Sequence, residues 1–106
     1  LHTKGAKTGE ERIHPVMYRK DDDKLVIFGS KGGAPKHPDW YWNLRANPEV
    51  KLEVGTKTIP AKARVAQGEE RERIWSLQKK EFPMFAQYEA KTTRQIPVIV
   101  LEPLKT

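Results

Sequence analysis

Proline and glycine punctuate this chain at short intervals and so limit the length of its regular elements. Eight prolines and seven glycines occur among 106 residues. Proline ends helices and is excluded from central strands, whereas glycine readily forms turns. A chain of this length has room for one modest core, so residues 1–106 are predicted to form a single domain. The pattern favours a mainly β fold of short strands joined by turns, with some helices.

Two hairpins are predicted from the apolar residues. Residues 12–19 and 24–28 flank the aspartates at 21–23 and carry apolar side chains on both faces, so this hairpin is expected to be covered on both sides. Pro15 places its strand at an edge or a bulge, where ligands often meet the main chain. Residues 50–54 and 59–65 alternate apolar and polar side chains, which indicates a second hairpin with one dry face.

The second half of the chain is predicted to contain two helices and a closing strand. Residues 68–82 begin with glutamates and end with lysines, as the helix dipole favours, and residues 84–91 form a second short helix after Pro83. Residues 96–101 are an apolar strand. The buried stripe of the longer helix is predicted to be Ile74, Trp75 and Leu77.

Charge and cysteine content restrict the classes of function. Twenty Lys and Arg against fourteen Asp and Glu give a net charge of +6 and a pI near 9.7. This balance favours an anionic partner such as nucleic acid, an anionic membrane surface or a phosphorylated cofactor. The lack of cysteine excludes disulfides and thiolate chemistry and fits a cytoplasmic protein. His2, His14 and His37 lack ligand-like spacing, so no metal site is expected.

Residues 30–48, SKGGAPKHPDWYWNLRANP, form the most informative stretch. Gly32 and Gly33 follow an apolar run, so a strand is predicted to end in a loop whose backbone can be approached closely. Pro38 and Asp39 suit the first turn of a short helix. The stretch is either a tight loop with an aromatic helix that plugs the core, or a cradle for a cofactor.

The order SKGG, HPDWYWNL, ANPEV resembles the signature block of the deazaflavin-dependent nitroreductase family, whose members bind coenzyme F420. The resemblance extends over residues 3–103 and implies the split β-barrel shared with FMN-binding oxidases of pyridoxal phosphate. By comparison with the family, the fold is expected here without the usual N-terminal extension. The resemblance also implies hydride transfer from the reduced deazaflavin to a quinone, a nitroaromatic or an enone. Such chemistry needs no side-chain nucleophile, in agreement with the lack of a catalytic triad in the sequence.

The resemblance further implies which residues contact the cofactor. Residues 3–9, TKGAKTG, are similar to a GRKTG stretch that contacts the cofactor in relatives, although Ala6 stands where arginine is common. Residues 30–33 are expected to line the ring system, and Lys7, Thr8 and Arg12 to bind the phosphate and the acidic oligoglutamate tail. The complete set of expected cofactor contacts is Lys7, Thr8, Arg12, Ile13, His14, Pro15, Val16, Met17, Phe28, Gly29, Ser30, Lys31, Gly32, Gly33, Trp40, Tyr41, Asn43 and Phe85.

Four residues are expected on the acceptor side: Met17, Phe82, Phe85 and Tyr88. The three aromatic residues recur every third position, which predicts one aromatic wall facing Met17. Relatives that reduce bulky nitroimidazoles often carry tyrosine at the positions matching Met17, Phe82 and Phe85, so this pocket is expected to be more apolar and to favour quinones. Ser30 and Tyr88 are the candidate catalytic hydroxyls. The alternatives are core packing for the aromatic residues and loop capping for Ser30.

Two further functions are consistent with the sequence. One is an FMN-using enzyme of the same fold, and the other is a nucleic-acid-binding module that stacks bases on Trp40, Tyr41 and Trp42. The basic residues are scattered rather than gathered in a stripe, so no nucleic-acid partner is expected. The sequence is consistent with either a monomer or a dimer. A cytoplasmic location is expected, with peripheral membrane contact through the missing N-terminal segment as one option.

Overall fold

The computed structural model describes residues 1–6, 9–14 and 16–104. These residues form seven strands, three α-helices and a 3₁₀ turn at Lys31–Gly33. The strands are β1 (His2–Lys4), β2 (Glu11–Ile13), β3 (Tyr18–Asp21), β4 (Lys24–Phe28), β5 (Glu49–Val54), β6 (Lys57–Val65) and β7 (Val98–Pro103). The helices are α1 (Asp39–Ala46), α2 (Gly68–Glu81) and α3 (Met84–Lys91).

The strands form one antiparallel sheet in the order β2-β1-β5-β6-β7-β4-β3. Strands β2 and β3 follow each other in the chain but lie at opposite edges of this sheet. Because only residues 14–17 join them, Ile13 and Tyr18 are at most about 19 Å apart. The edges of a flat sheet of this width would be about 29 Å apart. The sheet must therefore curl until its edges approach, and residues 14–17 cross the seam between them.

This arrangement corrects the first predicted hairpin. The strand predicted at residues 12–19 is two short strands at opposite edges, and only β3 pairs with β4. The expected covering on both faces is wrong for this segment, since Ile13 is 70% exposed and Met17 is 49% exposed. An apolar run does not by itself distinguish a buried strand from a segment at the rim of a groove. The expectation is confirmed for β4, whose residues Leu25 to Phe28 are buried.

The core occupies both faces of the central strands. On the concave face, α1 packs Trp40, Tyr41 and Leu44 against one side of β4 and β7 and against the dry side of the β5–β6 hairpin, which confirms the second predicted hairpin. On the other face, α2 and α3 cover the alternate side chains of β4 and β7. The buried residues of this second cluster are Val26, Phe28, Ala66, Ile74, Trp75, Phe85, Ile96, Val98 and Val100.

The predicted helices are confirmed, but one predicted core residue is not. Leu77 is 38% exposed, and Arg71 and Gln78 share the buried face of α2 with Ile74 and Trp75. Arg71 packs beneath the Trp75 ring, with 5.9 Å between the guanidinium carbon and the ring centre. A long side chain can bury its stem and keep polar partners, so the stripe of this helix is not purely apolar.

Of the adjacent glycines 32 and 33, only Gly33 is packed closely against another part of the protein. A Cβ on Gly33 would lie 2.9 Å from the carbonyl oxygen of Tyr88 and 3.0 Å from Cβ of Lys91, so α3 packs directly on this residue. A Cβ on Gly32 would have no atom within 4 Å. Both glycines have positive φ, 61° at Gly32 and 82° at Gly33. The close backbone approach at Gly33 is therefore made by a helix.

Alanine substitutions should separate these two glycines. Gly32→Ala adds only the cost of a left-handed backbone and should lower the free energy of unfolding by about 1 kcal/mol. Gly33→Ala adds a clash with α3 and should lower it by about 2 to 4 kcal/mol. Urea denaturation of both variants measures the difference. Equal losses would show that α3 does not pack on Gly33 in solution.

Candidate active site

A groove of about 380 Å³ opens between the 3₁₀ turn, α3, the start of α1 and the segment that crosses the seam. We call it the central groove. Most of its surface is apolar, and the only charged side chain in its lining belongs to Lys31, among the residues that the structure describes. Its lining consists of Val16, Met17, Phe28, Ser30, Lys31, Gly32, Pro38, Trp40, Met84, Phe85 and Tyr88.

The floor of the central groove is a turn with an unusual backbone. Lys31 has a φ of 47° and is followed by Gly32 at 61° and Gly33 at 82°, so three consecutive residues have positive φ. Ser30 precedes the turn, and its hydroxyl makes no capping hydrogen bond to it. The alternative role foreseen for Ser30, that of a loop cap, is therefore not the arrangement found here. Its half-buried side chain lines the groove instead.

One wall of the central groove is aromatic. Phe85 is buried, with its ring centre 5.6 Å from that of Phe28 and 5.4 Å from that of Tyr88. Phe85 thus belongs both to the core and to the groove lining. Within the described part of the chain, the Tyr88 hydroxyl has one hydrogen-bond partner, a weak acceptor, the sulfur of Met84 at 3.5 Å. That hydroxyl is consequently able to donate a proton or a hydrogen bond to a molecule in the groove.

Arg94 holds the loop that carries the groove floor. Its guanidinium donates to the carbonyl oxygens of Gly29 at 2.9 Å, Ser30 at 2.8 Å and Ala34 at 2.9 Å. It also donates to Nδ1 of His37 at 3.0 Å. Burial lowers the pKa of the Arg94 guanidinium. Arginine offers five donors in a fixed plane, so one side chain can satisfy several carbonyl groups that turn inward.

A second hollow, of about 610 Å³, is lined by the N-terminal segment, by residues in and just after β2, and by α1. We call it the side hollow. Among its described lining residues the charged ones are Arg12 and Asp39, and Arg12 also pairs with Glu10 at 3.5 Å. Burial lowers the pKa of His14, so this ring is neutral near pH 7. The lining is Gly5, Ala6, Arg12, His14, Asp39, Trp42 and Asn43.

Asn43 links the N-terminal segment to α1. Its amide oxygen accepts from the backbone N–H of Ala6 at 3.1 Å, and its amide nitrogen donates to the Thr3 hydroxyl at 3.1 Å. The same hydroxyl lies 3.0 Å from Nε2 of His14. These bonds position the wall of the side hollow, and one N–H of Asn43 has no partner among the described residues.

The structure gathers about two thirds of the predicted site residues. Nine of them line the central groove: Val16, Met17, Phe28, Ser30, Lys31, Gly32, Trp40, Phe85 and Tyr88. Three line the side hollow: Arg12, His14 and Asn43. The predictions for Lys7, Thr8 and Pro15 lie outside the described residues.

Five predicted residues lie elsewhere. Phe82 is an exposed residue at the end of α2 and does not line the central groove, so the aromatic wall consists of Phe85 and Tyr88. Tyr41 is buried on another face of α1 and lines a different pocket. The remaining three are Ile13, which is exposed on β2, Gly29, which packs on Pro97, and Gly33, which packs on α3.

Sequence reasoning missed three residues of the site. Pro38 and Met84 line the central groove, and Arg94 holds its floor. Met84 stands four positions before Tyr88 on α3, a spacing that places both on one face and that the sequence already contained. No sequence signal connects Arg94 with a loop some sixty positions earlier, because that contact exists only after folding.

Solved structures with low sequence identity establish the fold. A heme storage protein from Vibrio cholerae superimposes with a TM-score of 0.72 at 11% identity, over 99% of this chain and 80% of its own. A Listeria innocua protein, provisionally assigned as a pyridoxamine 5′-phosphate oxidase, gives 0.67 at 17% identity, over 98% and 82%. The class is therefore that of the split barrels, as the resemblance implied.

The family follows from more similar proteins. The family model for F420H(2)-dependent quinone reductase matches residues 1–103. An F420H(2)-dependent quinone reductase of Mycobacterium tuberculosis is 39% identical over 104 residues, which cover 95% of this chain and 70% of that protein. A solved F420-H2 dependent reductase, FDR-A, is 45% identical with a TM-score of 0.86, over 95% of this chain and 90% of its own.

This chain belongs to the F420H(2)-dependent quinone reductase family and is an oxidoreductase. The family uses F420H2 as its hydride donor. Another solved structure, a domain-swapped dimer, shares 45% identity and a TM-score of 0.86 with this chain, over 95% of this chain and 76% of its own. None of the described helices is long and apolar enough to span a bilayer. Within the described residues, no three acidic or histidine side chains come together as metal ligands.

Replacing Arg94 should destabilise the protein and loosen the groove floor. Arg94→Met leaves three inward carbonyl groups without their donor, so the free energy of unfolding should fall by about 2 to 4 kcal/mol. Arg94→Lys should recover only part of that loss, because one ammonium cannot reproduce the planar fork. Arg73→Lys is the matched control, since Arg73 is half-exposed and Asp21 is its one ion-pair partner in the described ranges. Urea denaturation compares the three, and equal effects of Arg94→Lys and Arg73→Lys would contradict the assigned role.

Proposed function

We propose that the central groove binds the deazaflavin ring of F420H2 and the acceptor, and that the side hollow binds the phosphate and acidic tail of the cofactor. One observation supports this proposal above all: nine residues predicted from the family resemblance converge on one groove. The protein would then transfer a hydride to a quinone, for which the family is named. Nitroaromatics and enones are the other acceptors that the resemblance implies.

The residues present fit such a cofactor. The central groove has apolar and aromatic walls for a flat ring, and the open space above Gly32 lets a ring lie directly on the backbone. The side hollow supplies Arg12 and one N–H of Asn43 as donors to anionic oxygens. Lys31 adds a positive charge at the central groove. The central groove would thus bind the flat ring, and the side hollow would bind the anionic part of the cofactor.

The bound cofactor supplies a hydride, because a carbon replaces the flavin nitrogen that supports one-electron and oxygen chemistry. The remaining tasks belong to the protein, which must position the reactants, exclude water and deliver a proton. Tyr88 and Ser30 carry the two hydroxyls in the groove lining. We assign Tyr88 to donate a proton or a hydrogen bond to the acceptor oxygen, and Ser30 to orient the acceptor or the cofactor carbonyl.

The rim of the groove favours an apolar acceptor. Met17 and Met84 both line the groove, and they are 49% and 44% exposed. Unbranched thioether side chains adapt to flat or extended apolar molecules. A rim of this chemistry suits a quinone better than a polar nitro compound.

The nucleic-acid alternative loses its stacking surface. Trp40 and Tyr41 are each only 7% exposed, whereas Trp42 is 51% exposed, so a single ring of the aromatic triplet faces solvent. Stacking platforms need ring faces that bases can reach. The FMN alternative implies the same fold, so only the relative affinities for F420 and FMN distinguish it from the proposed function.

A binding titration tests the proposed cofactor. We expect the protein to bind F420 at least about tenfold more tightly than FMN and to show no saturable binding of a short single-stranded oligonucleotide at physiological salt. Deazaflavin fluorescence follows the first ligand, and competition measures the others. Preference for FMN would replace the proposed cofactor, and tight oligonucleotide binding would restore the nucleic-acid alternative.

The same titration tests the side hollow. Arg12 is half-exposed, so Arg12→Gln should weaken F420 binding by only about two- to fivefold at low salt. The effect should shrink at higher salt because the charges are screened. Lys57→Gln removes the same charge from an exposed strand end and is the control. Equal effects of both variants would reduce Arg12 to a general surface charge.

Acceptor preference tests the central groove. With reduced F420 as donor, we expect turnover of a menaquinone analogue to exceed turnover of a bicyclic nitroimidazole. Tyr88→Phe and Ser30→Ala should each lower kcat by about tenfold or more, while the affinity for F420 changes little with Tyr88→Phe. Steady-state and single-turnover kinetics supply both numbers. Efficient nitroimidazole reduction that is insensitive to Tyr88→Phe would overturn the acceptor preference and the role of that hydroxyl together.

A further inference from the structure

A third cavity, of about 440 Å³, lies between α1 and the start of α2. We call it the α1–α2 pocket. It shares no lining residue with the central groove or the side hollow. No acidic residue lines it, among the residues that the structure describes. The lining consists of His37, Tyr41, Arg45, Val65, Ala66, Gln67, Gly68, Arg71, Gln95 and Pro97.

Arg71 brings a buried positive charge to this pocket. Its side chain is only 9% exposed, and one Nη donates to the carbonyl oxygen of Ile96 at 2.6 Å. No carboxylate of the described residues lies within ion-pair distance of the guanidinium, and Glu72 and Glu89 act on it only at longer range. Buried guanidinium groups are normally paired with an anion. Among the described residues, the other N–H groups of Arg71 have no hydrogen-bond acceptor and can bind a molecule in the pocket.

Arg45 supplies a second positive charge from α1. One Nη donates to the Tyr41 hydroxyl at 3.3 Å, and the guanidinium carbon lies 5.7 Å from the centre of the Tyr41 ring. Arg45 stands four positions after Tyr41 and is held along it. The side chain is thereby directed to the pocket, where its remaining donors have no carboxylate partner among the described residues.

His37 and the start of α2 add further donors. Nδ1 of His37 faces an N–H of Arg94, which can only donate, so Nδ1 accepts and the proton of the neutral ring is on Nε2. Burial, then Arg94 and Arg45, lower the pKa of His37, which keeps the ring neutral at pH 7. Gln67 and Gly68 lie where the free N–H groups of the first helical turn of α2 begin.

From these observations we propose that the α1–α2 pocket is a binding site for a phosphate group, either inorganic or carried by a small phosphate monoester. Two unpaired guanidinium groups match a doubly charged oxyanion, and arginine binds phosphate through two parallel hydrogen bonds. The first turn of a 14-residue helix contributes main-chain donors to the same oxyanion. The ring of Tyr41 forms an apolar wall for the organic part of a monoester.

The first two acidic residues of α2, Glu69 and Glu70, do not line the pocket. Glu70 is held by Arg64 through contacts of 2.5 and 2.9 Å, and this pairing keeps the pKa of Glu70 below its usual range. Glu69 is exposed on the first turn of α2 and does not line the pocket. The positive charge is therefore available to a ligand. This pocket shares no lining residue with the proposed F420 site, so phosphate binding here can be tested separately from cofactor binding.

Inorganic phosphate is the probe for this site. The uniformly ¹⁵N-labelled full chain is titrated with phosphate at pH 7, with sodium chloride added so that the ionic strength stays constant. We expect saturable shifts of the Gly68 amide and of the Arg71 and Arg45 side-chain N–H signals. Glucose 6-phosphate in a second titration should shift the same signals and also those of Tyr41. Shifts that are confined to the residues of the side hollow would place the anion at the other site and overturn the proposal.

Variants decide whether the pocket charges cause the binding. Arg45→Gln should raise the Kd for phosphate at least about fivefold, whereas the control Lys57→Gln should change it by less than about twofold. Arg71→Lys keeps the charge and loses the planar fork, so it should weaken phosphate more than chloride. Should that variant unfold, Arg45→Gln still gives the answer. Equal effects of Arg45→Gln and Lys57→Gln, or shifts reproduced by chloride alone, would overturn the site.

Discussion

The short connection between β2 and β3 is the constraint from which the rest of this structure follows. Four residues must join opposite edges of the sheet, so the sheet has to curl. Curling gives it a concave face that α1 fills and a convex face that α2 and α3 cover. The same connection crosses the seam between the two edges and contributes residues to both the central groove and the side hollow. The connection that closes the sheet therefore also forms part of the candidate site.

The groove floor gains its rigidity from polar contacts behind it. Its backbone has a positive φ at several residues, among them Lys31. A non-glycine residue in an isolated loop would rarely adopt that conformation. Arg94 satisfies three inward carbonyl groups of this loop, and α3 presses on Gly33. A preformed floor lowers the entropy that a bound ring would otherwise cost. If the groove binds the cofactor ring as proposed, the residues behind it would raise the affinity without touching the ring.

The positive charge of the chain is divided among separate places. Several arginines pair with carboxylates at the surface, as Arg73 does with Asp21 and Arg64 with Glu70 and Glu102. Such exposed pairs contribute little to stability. The guanidinium groups of Arg71 and Arg45 at the α1–α2 pocket have no carboxylate partner among the described residues. They are of greater consequence, because a cavity concentrates their field.

The sequence alone determined the family, the three helices, the second hairpin and most of the groove residues, because periodicity, glycine and proline positions and one long motif are local properties. Only the tertiary structure decided the rest. Strand pairing between distant segments divided the predicted strand at 12–19, and packing moved Leu77 outward and Phe82 away from the groove. Arg94 and Arg71 acquired their partners from residues more than twenty positions away. Contacts of this range are set by how the sheet closes, and no local pattern records them.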